Sequence, residues 1–346
     1  MNYDLFEKYI EEKEPHKYEK TYSWQTAIGL QDVDGLEPSN YLIEKAIDNI
    51  EGKVSFNEVE KLIKSYYQQL SKKDKNNRTE EADKVSVRIA EILSEKSFTF
   101  SPIEYISIHK RLFNEIYDHA GAIRDYNISK SEWVLDGDTV IYGNAYNLME
   151  MLEYDFQQEK NFFYNNLSNY ELIKHLAKFI ADLWQIHIFG EGNTRTTAVF
   201  LIKYLRKMGF DVTNDIFAKN SWYFRNALVR ANYNNANKNI YETTEYLEKF
   251  LGNLLFNEKN ILSNRNLHIS VAKAETILDT TSDISESEHK ILNAIKKNPK
   301  IKQMEIANHI GKSLRTVKSL MRKLEEKNII RRSGSKKSGY WEFVNK

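Results

Sequence analysis

Residues 170–208 decide the fold: YELIKHLAKFIADLWQI (170–186), then HIFGEGNTR (187–195), which continues into RTTAVFLIKYLRKM (195–208). The two outer segments place apolar residues three and four positions apart, which predicts two helices, the second ended by Gly209. The nine central residues then form a loop between two buried helices. Similar spacing recurs along the 346 residues, which include only four prolines and thirteen glycines. We therefore expect a mainly α-helical fold.

Four polar residues of this loop carry the groups that nucleotidyl transfer needs. Moving part of a nucleotide onto a hydroxyl requires a base, a divalent cation for the phosphates and fixed donors for developing negative charge. His187, Glu191, Asn193 and Arg195 supply such groups, and backbone N–H groups at the start of the second helix bind anions. Taken singly, each residue is better explained as a helix-end histidine, a helix cap or a member of a surface ion pair, and only the whole string favours the functional interpretation.

The order His-x-Phe-x-Glu-Gly-Asn-x-Arg between two apolar helices closely resembles the active-site signature of the Fic family. Most members transfer AMP from ATP to protein hydroxyls, and the resemblance spans about residues 85 to 255. It implies that His187 is the general base, that Glu191 holds Mg²⁺ and that Phe189 anchors the loop in the core. The implied nucleotide-binding residues are Gly192, Asn193, Thr194, Arg195, Asn232 and Tyr233. For the last two, which would recognise adenine, a polar helix end with an exposed tyrosine is the alternative.

Residues 132–142 (EWVLDGDTVIY) are the clearest exception to helix. Short β-prone runs surround the turn signal Asp136-Gly137, so we expect a β-hairpin. The hairpin precedes the motif and resembles the Fic flap, which implies that Trp133, Val134 and Leu135 align an extended target segment by strand-like pairing. An ordinary solvent-exposed hairpin is the alternative.

Two positions depart from the family pattern. Ala198 replaces a second arginine that grips the outer phosphate, and Thr194 replaces a glycine. Loss of a charged hydrogen bond costs about 1.5 to 3 kcal/mol, so the donor could also be UTP or a related phosphate compound.

The N-terminal segment 24–39 resembles the inhibitory helix of Fic systems, whose signature is Ser/Thr-x-x-x-Glu-Gly. Aligned on Gly35, this chain has Leu30 for the hydroxyl and Asp34 for the glutamate. A shortened carboxylate facing Ala198 has no ion pair to make, so we predict an enzyme without the usual inhibitory clamp. The alternative is that residues 21–70 are only a helical docking module.

The C-terminal end predicts a winged helix-turn-helix. Residues 289–346 contain sixteen Lys and Arg against four Asp and Glu, a net charge of +12, whereas the rest of the chain carries −11. Three helices are expected at 288–297, 302–310 and 313–327, followed by two strands. We predict DNA binding, with a protein-docking winged helix as the alternative. The expected DNA contacts are Arg315, Thr316, Lys318 and Arg322 on the third helix, and Lys336 and Lys337 on the wing.

These patterns predict three domains: an N-terminal helical module at 1–75, a catalytic domain at 85–265 and a winged helix-turn-helix at 286–346. The polar stretches 71–84 and 279–288 are expected to be a surface loop and a linker. The sequence has no cysteine, which excludes disulfides and thiolate chemistry. Neither a signal peptide nor a long apolar run occurs, so we expect a cytoplasmic protein with no membrane partner.

We therefore expect a protein adenylyltransferase that uses ATP and Mg²⁺ to modify a Ser, Thr or Tyr hydroxyl of a target protein, including its own chain. Its basic C-terminal domain would bind DNA. The competing hypothesis is a DNA-binding transcriptional regulator whose Fic domain binds nucleotide without efficient transfer. Ala198 and Thr194 favour the regulator, whereas His187 and Glu191 favour the enzyme.

Overall fold

The computed structural model describes residues 4–11, 14–70, 78–212, 215–270, 286–326, 329–334 and 339–344. The chain divides into two compact units. The first comprises residues 1–132, 137–234 and 242–264, and the second comprises residues 133–136, 235–241 and 265–346. Residues 279–285 of the predicted polar linker lie outside the described residues, and its residues 286–288 begin a helix.

The first unit is helical. Its helices before the active-site loop are α1 (Asp4–Glu11), α2 (Pro15–Gly29), α3 (Asn40–Ile50), α4 (Phe56–Gln69), α5 (Thr79–Ser94), α6 (Pro102–Phe113), α7 (Leu148–Asn161) and α8 (Asn169–Ile186). After the loop come α9 (Asn193–Lys207), α10 (Ile216–Ala231) and α11 (Glu245–Phe256). A short α12 (Asn264–Leu267) follows, and it belongs to the second unit from residue 265 on. The expectation of a mainly α-helical fold is therefore confirmed.

The two helices predicted around the loop are α8 and α9. Ser168 begins α8 by accepting a hydrogen bond from the backbone N–H of Glu171, whose carboxylate reaches back to Ser168. Between them, His187 at the end of α8 and Gly192 before α9 both adopt left-handed backbone conformations. Every residue of α9 from Asn193 to Leu205 is buried, so the loop is held between two core helices.

The predicted surface loop at 71–84 is wrong for residues 79–84, which form the first turns of α5. Glu81 and Asp83 made this stretch seem solvent-exposed, but both are buried. Asp83 accepts hydrogen bonds from Ser39 and from the Tyr67 hydroxyl. Buried carboxylates with partners far along the chain hide a helix from a hydropathy pattern.

The predicted β-hairpin at 132–142 is also wrong, although its turn is present. Asp136 and Gly137 have the positive φ angles that the turn signal requires, 57° and 85°. Residues 133–135 form a 3-10 turn, and no strand forms anywhere in 132–142, a fully described stretch. An isolated hairpin is marginal in water, and this segment instead buries Val134 and Leu135 completely.

The second unit contains the predicted winged helix-turn-helix: α13 (Glu286–Lys297), α14 (Gln303–Ile310), α15 (Leu314–Glu326), β1 (Ile330–Ser333) and β2 (Tyr340–Phe343). The strands pair antiparallel, with Ile330 opposite Phe343 and Ser333 opposite Tyr340. Val317, Met321 and Leu324 of α15 are buried in the core of this domain. Gly311 ends α14 in a left-handed conformation, as the turn requires.

None of the helices in the described ranges combines the length and the apolar character needed to cross a lipid bilayer.

Candidate active site

His187 directly follows α8, and its ring is almost fully enclosed. The ring packs against Tyr142 at 4.3 Å and against Trp184 at 5.0 Å between ring centroids, and 4% of the residue is exposed. Its Nδ1 lies 3.2 Å from the Trp184 carbonyl oxygen, which places the proton on Nδ1 and leaves Nε2 as a lone-pair acceptor. Burial, assisted by the positive charge of Lys130, lowers the pKa of His187 well below its usual value. The imidazole is therefore neutral at physiological pH.

A buried arginine that the sequence did not single out holds the turn at His187. Arg124 donates hydrogen bonds to the carbonyl oxygens of His187 (2.7 Å) and Ile186 (3.2 Å). Its other bonds reach the carbonyls of Gly143 and Tyr126, both at 2.5 Å. Five N–H donors in a planar fork suit this bridging of separate backbone segments. No local pattern reveals this role, because the carbonyls belong to three separate stretches of chain.

A buried histidine supports the centre of the loop and was also missed. The ring of His109 stacks on Phe189 with centroids 3.7 Å apart, which confirms that Phe189 is in the core. The Nδ1 of His109 accepts from the Gly121 N–H at 2.8 Å, so its Nε2 donates to the Glu191 carbonyl at 3.0 Å. Burial lowers the pKa of His109 to about 4.

The first turn of α9 brings Gly192, Asn193 and Thr194 together. Gly192 has a φ of 75°, and a Cβ there would lie 2.4 Å from the Phe113 ring, so only glycine fits. The Asn193 side chain donates to the Phe189 carbonyl (2.8 Å) and accepts from the Phe189 N–H (3.1 Å). Thr194 accepts from the Trp184 indole at 3.0 Å. These side chains shape the loop, which leaves the backbone N–H groups of the helix start as the potential anion donors.

Arg195 is fully buried and enclosed by acidic and polar partners. Its Nη2 lies 2.8 Å from Asp34 Oδ2 and 2.7 Å from Glu81 Oε1, and its Nη1 donates to Gln31 Oε1 at 3.0 Å. Our expectation that Asp34 has no ion pair to make was therefore wrong. Asp34 pairs with the motif arginine itself, while Ala198 is wholly buried.

The segment that carries Asp34 is docked into the first unit. Leu30–Asp34 form a 3-10 helix in which Leu30 is buried, and Gly35 ends it with a φ of 64°. Gly29, just before it, lies so close to α10 that a Cβ would be 2.3 Å from the Ala218 carbonyl oxygen. The Ser221 hydroxyl donates to the Gly29 carbonyl at 2.6 Å. The sequence alignment that singled out Leu30, Asp34 and Gly35 thus located a segment bound at Arg195.

A cavity of about 530 Å³ lies beside this network. It is lined by Asp32, Val33, Asp34, Gly35, Arg78, Lys130, Glu191, Trp222 and Arg225. The cavity is therefore lined by three cationic side chains, those of Arg78, Lys130 and Arg225, together with the Glu191 carboxylate. Such a combination suits a polyphosphate ligand that carries a divalent cation.

Glu191 is available for a cation at the cavity. Its side chain is 55% exposed, and Lys130 Nζ lies 3.1 Å from its Oε2. Within the described ranges, no group of three or more His, Asp or Glu side chains could hold a metal. Mg²⁺ commonly binds one or two carboxylates together with substrate phosphates and water, so Glu191 fits a Mg²⁺ ion that arrives with a nucleotide.

Two predicted adenine contacts have their polar groups engaged within the protein. The Asn232 amide donates to the carbonyls of Ala181 and Leu228, both at 3.0 Å, and the Tyr233 hydroxyl donates to Asp138 at 2.7 Å. Neither residue lines the cavity beside Arg195. In the other unit, the predicted docking residues Trp133, Val134 and Leu135 form a 3-10 turn in which Trp133 is 49% exposed.

The predicted DNA-contact residues of α15 lie on its exposed side. Arg315, Thr316, Lys318 and Arg322 all project away from the core formed by Val317, Met321 and Leu324. Arg322 forms an ion pair with Glu326 at 3.0 Å, which reduces its positive charge. Lys336 and Lys337 lie outside the described residues.

Comparison with known proteins supports this interpretation of the loop and of the C-terminal unit. A family model described as the Fic/DOC family matches residues 99–205, which include α6, α8, the loop and most of α9. The chain contains a Fic/DOC domain. A second model, described as winged helix-turn-helix DNA-binding, matches residues 284–331. The C-terminal unit of this chain therefore contains a winged helix-turn-helix.

One curated protein and one solved structure are similar to this chain at low sequence identity. It is 24% identical over 203 residues to the protein adenylyltransferase VbhT of Bartonella schoenbuchensis, a match that covers 55% of this chain and 41% of that protein. The chain thus spans about two fifths of the length of this curated relative. A solved Fic family structure from Desulfovibrio desulfuricans covers 99% of this chain and 93% of its own, with 12% identity and a TM-score of 0.45.

Proposed function

We propose that the Fic/DOC domain is a protein adenylyltransferase that moves AMP from ATP to a Ser, Thr or Tyr hydroxyl, on a target protein or on its own chain. The target oxygen attacks the α-phosphorus, the bond from that phosphorus to the bridging oxygen breaks, and pyrophosphate leaves. The hydroxyl proton passes to Nε2 of His187. The observation that carries the proposal is this neutral, buried imidazole, with Nδ1 fixed by Trp184 and Nε2 left to accept a proton.

The other residues of the loop bind and orient the nucleotide in this proposal. Backbone N–H groups from Gly192 to Arg195 hold the transferred phosphate at the start of α9. Glu191 holds Mg²⁺, which neutralises charge on the phosphates when bound. Arg195 contributes to phosphate binding once Asp34 withdraws. Asn232 and Tyr233 form part of the adenine site, and residues 133–135 contact the target.

In this proposal the winged helix-turn-helix binds DNA, and the adenylyltransferase domain therefore acts close to DNA. The recognition helix is α15, with Arg315, Thr316, Lys318 and Arg322 as the contacts, and Lys336 and Lys337 are proposed as further phosphate contacts. The name of the distant Bartonella relative supports the adenylyltransferase half of the proposal. The family description of the C-terminal match supports the DNA-binding half.

A second candidate function is a DNA-binding regulator whose Fic/DOC domain binds nucleotide without efficient transfer. The observation that favours it is the burial of Arg195 between Asp34 and Glu81, together with the buried Ala198 in place of a second arginine. In this state no guanidinium of α9 is available for an outer phosphate.

Incubation of the full chain with Mg²⁺ and each radiolabelled nucleoside triphosphate separates the two candidates. We expect label from ATP on the chain or on an added protein fraction, and no label with His187→Ala. A His187→Ala protein that still incorporates label would contradict the base assignment. Absence of label from every donor, with nucleotide binding retained, would favour the regulator.

A further inference from the structure

Arg78 stands out among the three cations of the cavity because it shares its partner with Arg195. Its Nε and Nη2 each lie 2.8 Å from a different oxygen of Glu81, and Arg195 Nη2 lies 2.7 Å from the same Glu81 Oε1. Tyr117 donates to this oxygen as well, at 2.6 Å. Two guanidinium groups from distant parts of the chain are therefore held side by side by one carboxylate.

The charges of this cluster balance only while Asp34 is present. Arg78 and Arg195 carry two positive charges, and Glu81 and Asp34 carry two negative charges. Burial opposes ionisation of Glu81, but Arg195 and the surrounding hydrogen bonds outweigh it and keep the pKa of Glu81 below its usual value. Withdrawal of Asp34 would therefore leave a cluster with one excess positive charge beside the cavity, which favours an anion in its place.

The cluster contains guanidinium N–H donors that have no hydrogen-bond partner among the described residues. Arg195 Nε is buried without a hydrogen-bond partner, a costly arrangement for a guanidinium group. In the part of the chain that the structure describes, Nη1 of Arg78 also has no partner, and the Arg78 side chain is 54% exposed at the cavity. Planar guanidinium groups bind phosphate through paired N–H donors.

The other two cations are less suited to this role. Both oxygens of Glu132, which is 1% exposed, accept from Arg225 at 2.6 and 3.1 Å, so that the charge of Arg225 is balanced within its own pair. Lys130 forms an ion pair with Glu191, the residue that would bind Mg²⁺. Arg78 is thus the cavity cation whose carboxylate partner is shared with a second guanidinium, so its charge is only partly balanced once Asp34 withdraws.

We propose that Arg78, at the start of α5, is a specificity-determining residue that binds the outer phosphate of the donor nucleotide. It would supply the guanidinium that α9 lacks at Ala198. The site would take a nucleoside triphosphate in the place where Asp34 now lies. This inference rests on the proposed function and names the residue that recognises the terminal phosphate.

The test measures binding of ATP and of AMP to the full chain by titration calorimetry with Mg²⁺. Asp34→Asn serves as the parent, so that the aspartate does not mask the site. We expect Arg78→Gln in this parent to weaken ATP binding by about tenfold or more, as loss of a charged hydrogen bond should. AMP, which lacks the outer phosphates, should change by less than about twofold.

Two further variants in the same parent serve as controls. Arg111→Gln removes an arginine that also forms a paired contact with a glutamate, Glu95, outside the cavity, and should leave both affinities unchanged. Arg78→Lys keeps the charge but not the planar fork, so it should recover part of the ATP affinity. Equal losses for ATP and AMP, or no loss of ATP binding, would overturn the role of Arg78.

The outcomes also separate this inference from the proposed function. If the parent transfers label from ATP and Arg78→Gln leaves the ratio of ATP to AMP affinity unchanged, only the assignment of Arg78 is overturned. A parent that binds neither nucleotide overturns both. Selective loss of ATP affinity without any transfer in the parent supports the arginine and contradicts the adenylyltransferase.

Discussion

Asp34 Oδ2 lies 2.8 Å from Nη2 of Arg195, so a residue near the N-terminus forms an ion pair with the motif arginine of the Fic/DOC domain. The arginine is fully buried, whereas the Asp34 side chain is 26% exposed. An exposed partner can leave a buried charge more easily than a buried partner can, and Glu81 keeps the guanidinium paired when it does. The contact between Asp34 and Arg195 can therefore break while the contact between Glu81 and Arg195 is kept.

Replacing Asp34 should increase transfer. Asp34→Asn removes the charge that competes with a phosphate for Arg195, and we expect self-modification to rise by about tenfold, the equivalent of one charged hydrogen bond. Asp32→Asn is the matched control, because Asp32 lines the same cavity without an ion pair to Arg195. Incorporation of labelled AMP over time gives the rates. Equal rates for Asp34→Asn and the unmodified chain would show that the ion pair does not limit the enzyme.

The pH profile of transfer should follow the neutral state of His187. Since a base must be unprotonated and burial lowers the pKa of His187 well below its usual value, the rate should be half-maximal only at a pH well below that usual value. The measurement is kcat/KM from pH 4.5 to 8, with circular dichroism at each pH to exclude unfolding. A half-maximal rate at or above pH 6.5, the ordinary histidine value, would be inconsistent with this environment.

The buried ring of His109 should make folding sensitive to acid. The unfolded chain binds this proton near pH 6.5, whereas the folded chain binds it near pH 4. The unfolded state therefore holds more protons between these values, and stability should fall by about 3 kcal/mol as the pH drops from 6.5 to 4. Well below pH 4, where both states bind the proton, the contribution of this group is constant.

Urea unfolding of His109→Gln measures that contribution. The variant should be less stable at pH 7, because Gln replaces the ring stacked on Phe189, yet it should lose less stability between pH 6.5 and 4. His16→Gln, a change at an exposed histidine, serves as the control and should keep the full acid dependence. Parallel pH profiles for His109→Gln and the unmodified chain would contradict the assignment.

DNA binding by the winged helix-turn-helix should be dominated by phosphate contacts. With about four neutralised phosphates, affinity should fall about a hundredfold between 50 and 200 mM salt. The double change Arg315→Gln and Lys318→Gln should reduce both the affinity and the salt dependence, as measured by fluorescence anisotropy. Lys64→Gln, in the other compact unit, is the control. Affinity that does not depend on salt would instead favour a protein partner for this domain.

Local sequence patterns predicted the elements whose signals are local. The apolar spacing of 170–186 and 195–208 identified α8 and α9 to within two residues. Asp136-Gly137 correctly predicted a turn but not the conformation of the residues before it. The conformation of Val134 and Leu135 depends on their burial rather than on their β-propensity. The Asp-Gly signal therefore predicted the turn but not the conformation of the residues beside it.

The environment of Arg195 could not be predicted in the same way. Its partners Gln31, Asp34, Glu81 and Tyr117 come from three separate stretches of chain. Glu81 lies in a stretch so polar that it resembled a loop, and the alignment paired Asp34 with Ala198 rather than with Arg195. Partners far apart in sequence leave no periodic signal, because their identity is decided by packing.

The burial of α9 along nearly its whole length also limits how such a protein can diversify. A helix enclosed from Asn193 to Leu205 tolerates few changes of side-chain volume without loss of stability. New donor preferences are therefore more accessible by substitution on the rim of the cavity, at positions such as Arg78, Trp222 and Arg225. For protein engineers, libraries built on those rim positions should keep a folded scaffold far more often than libraries built on the helix behind them.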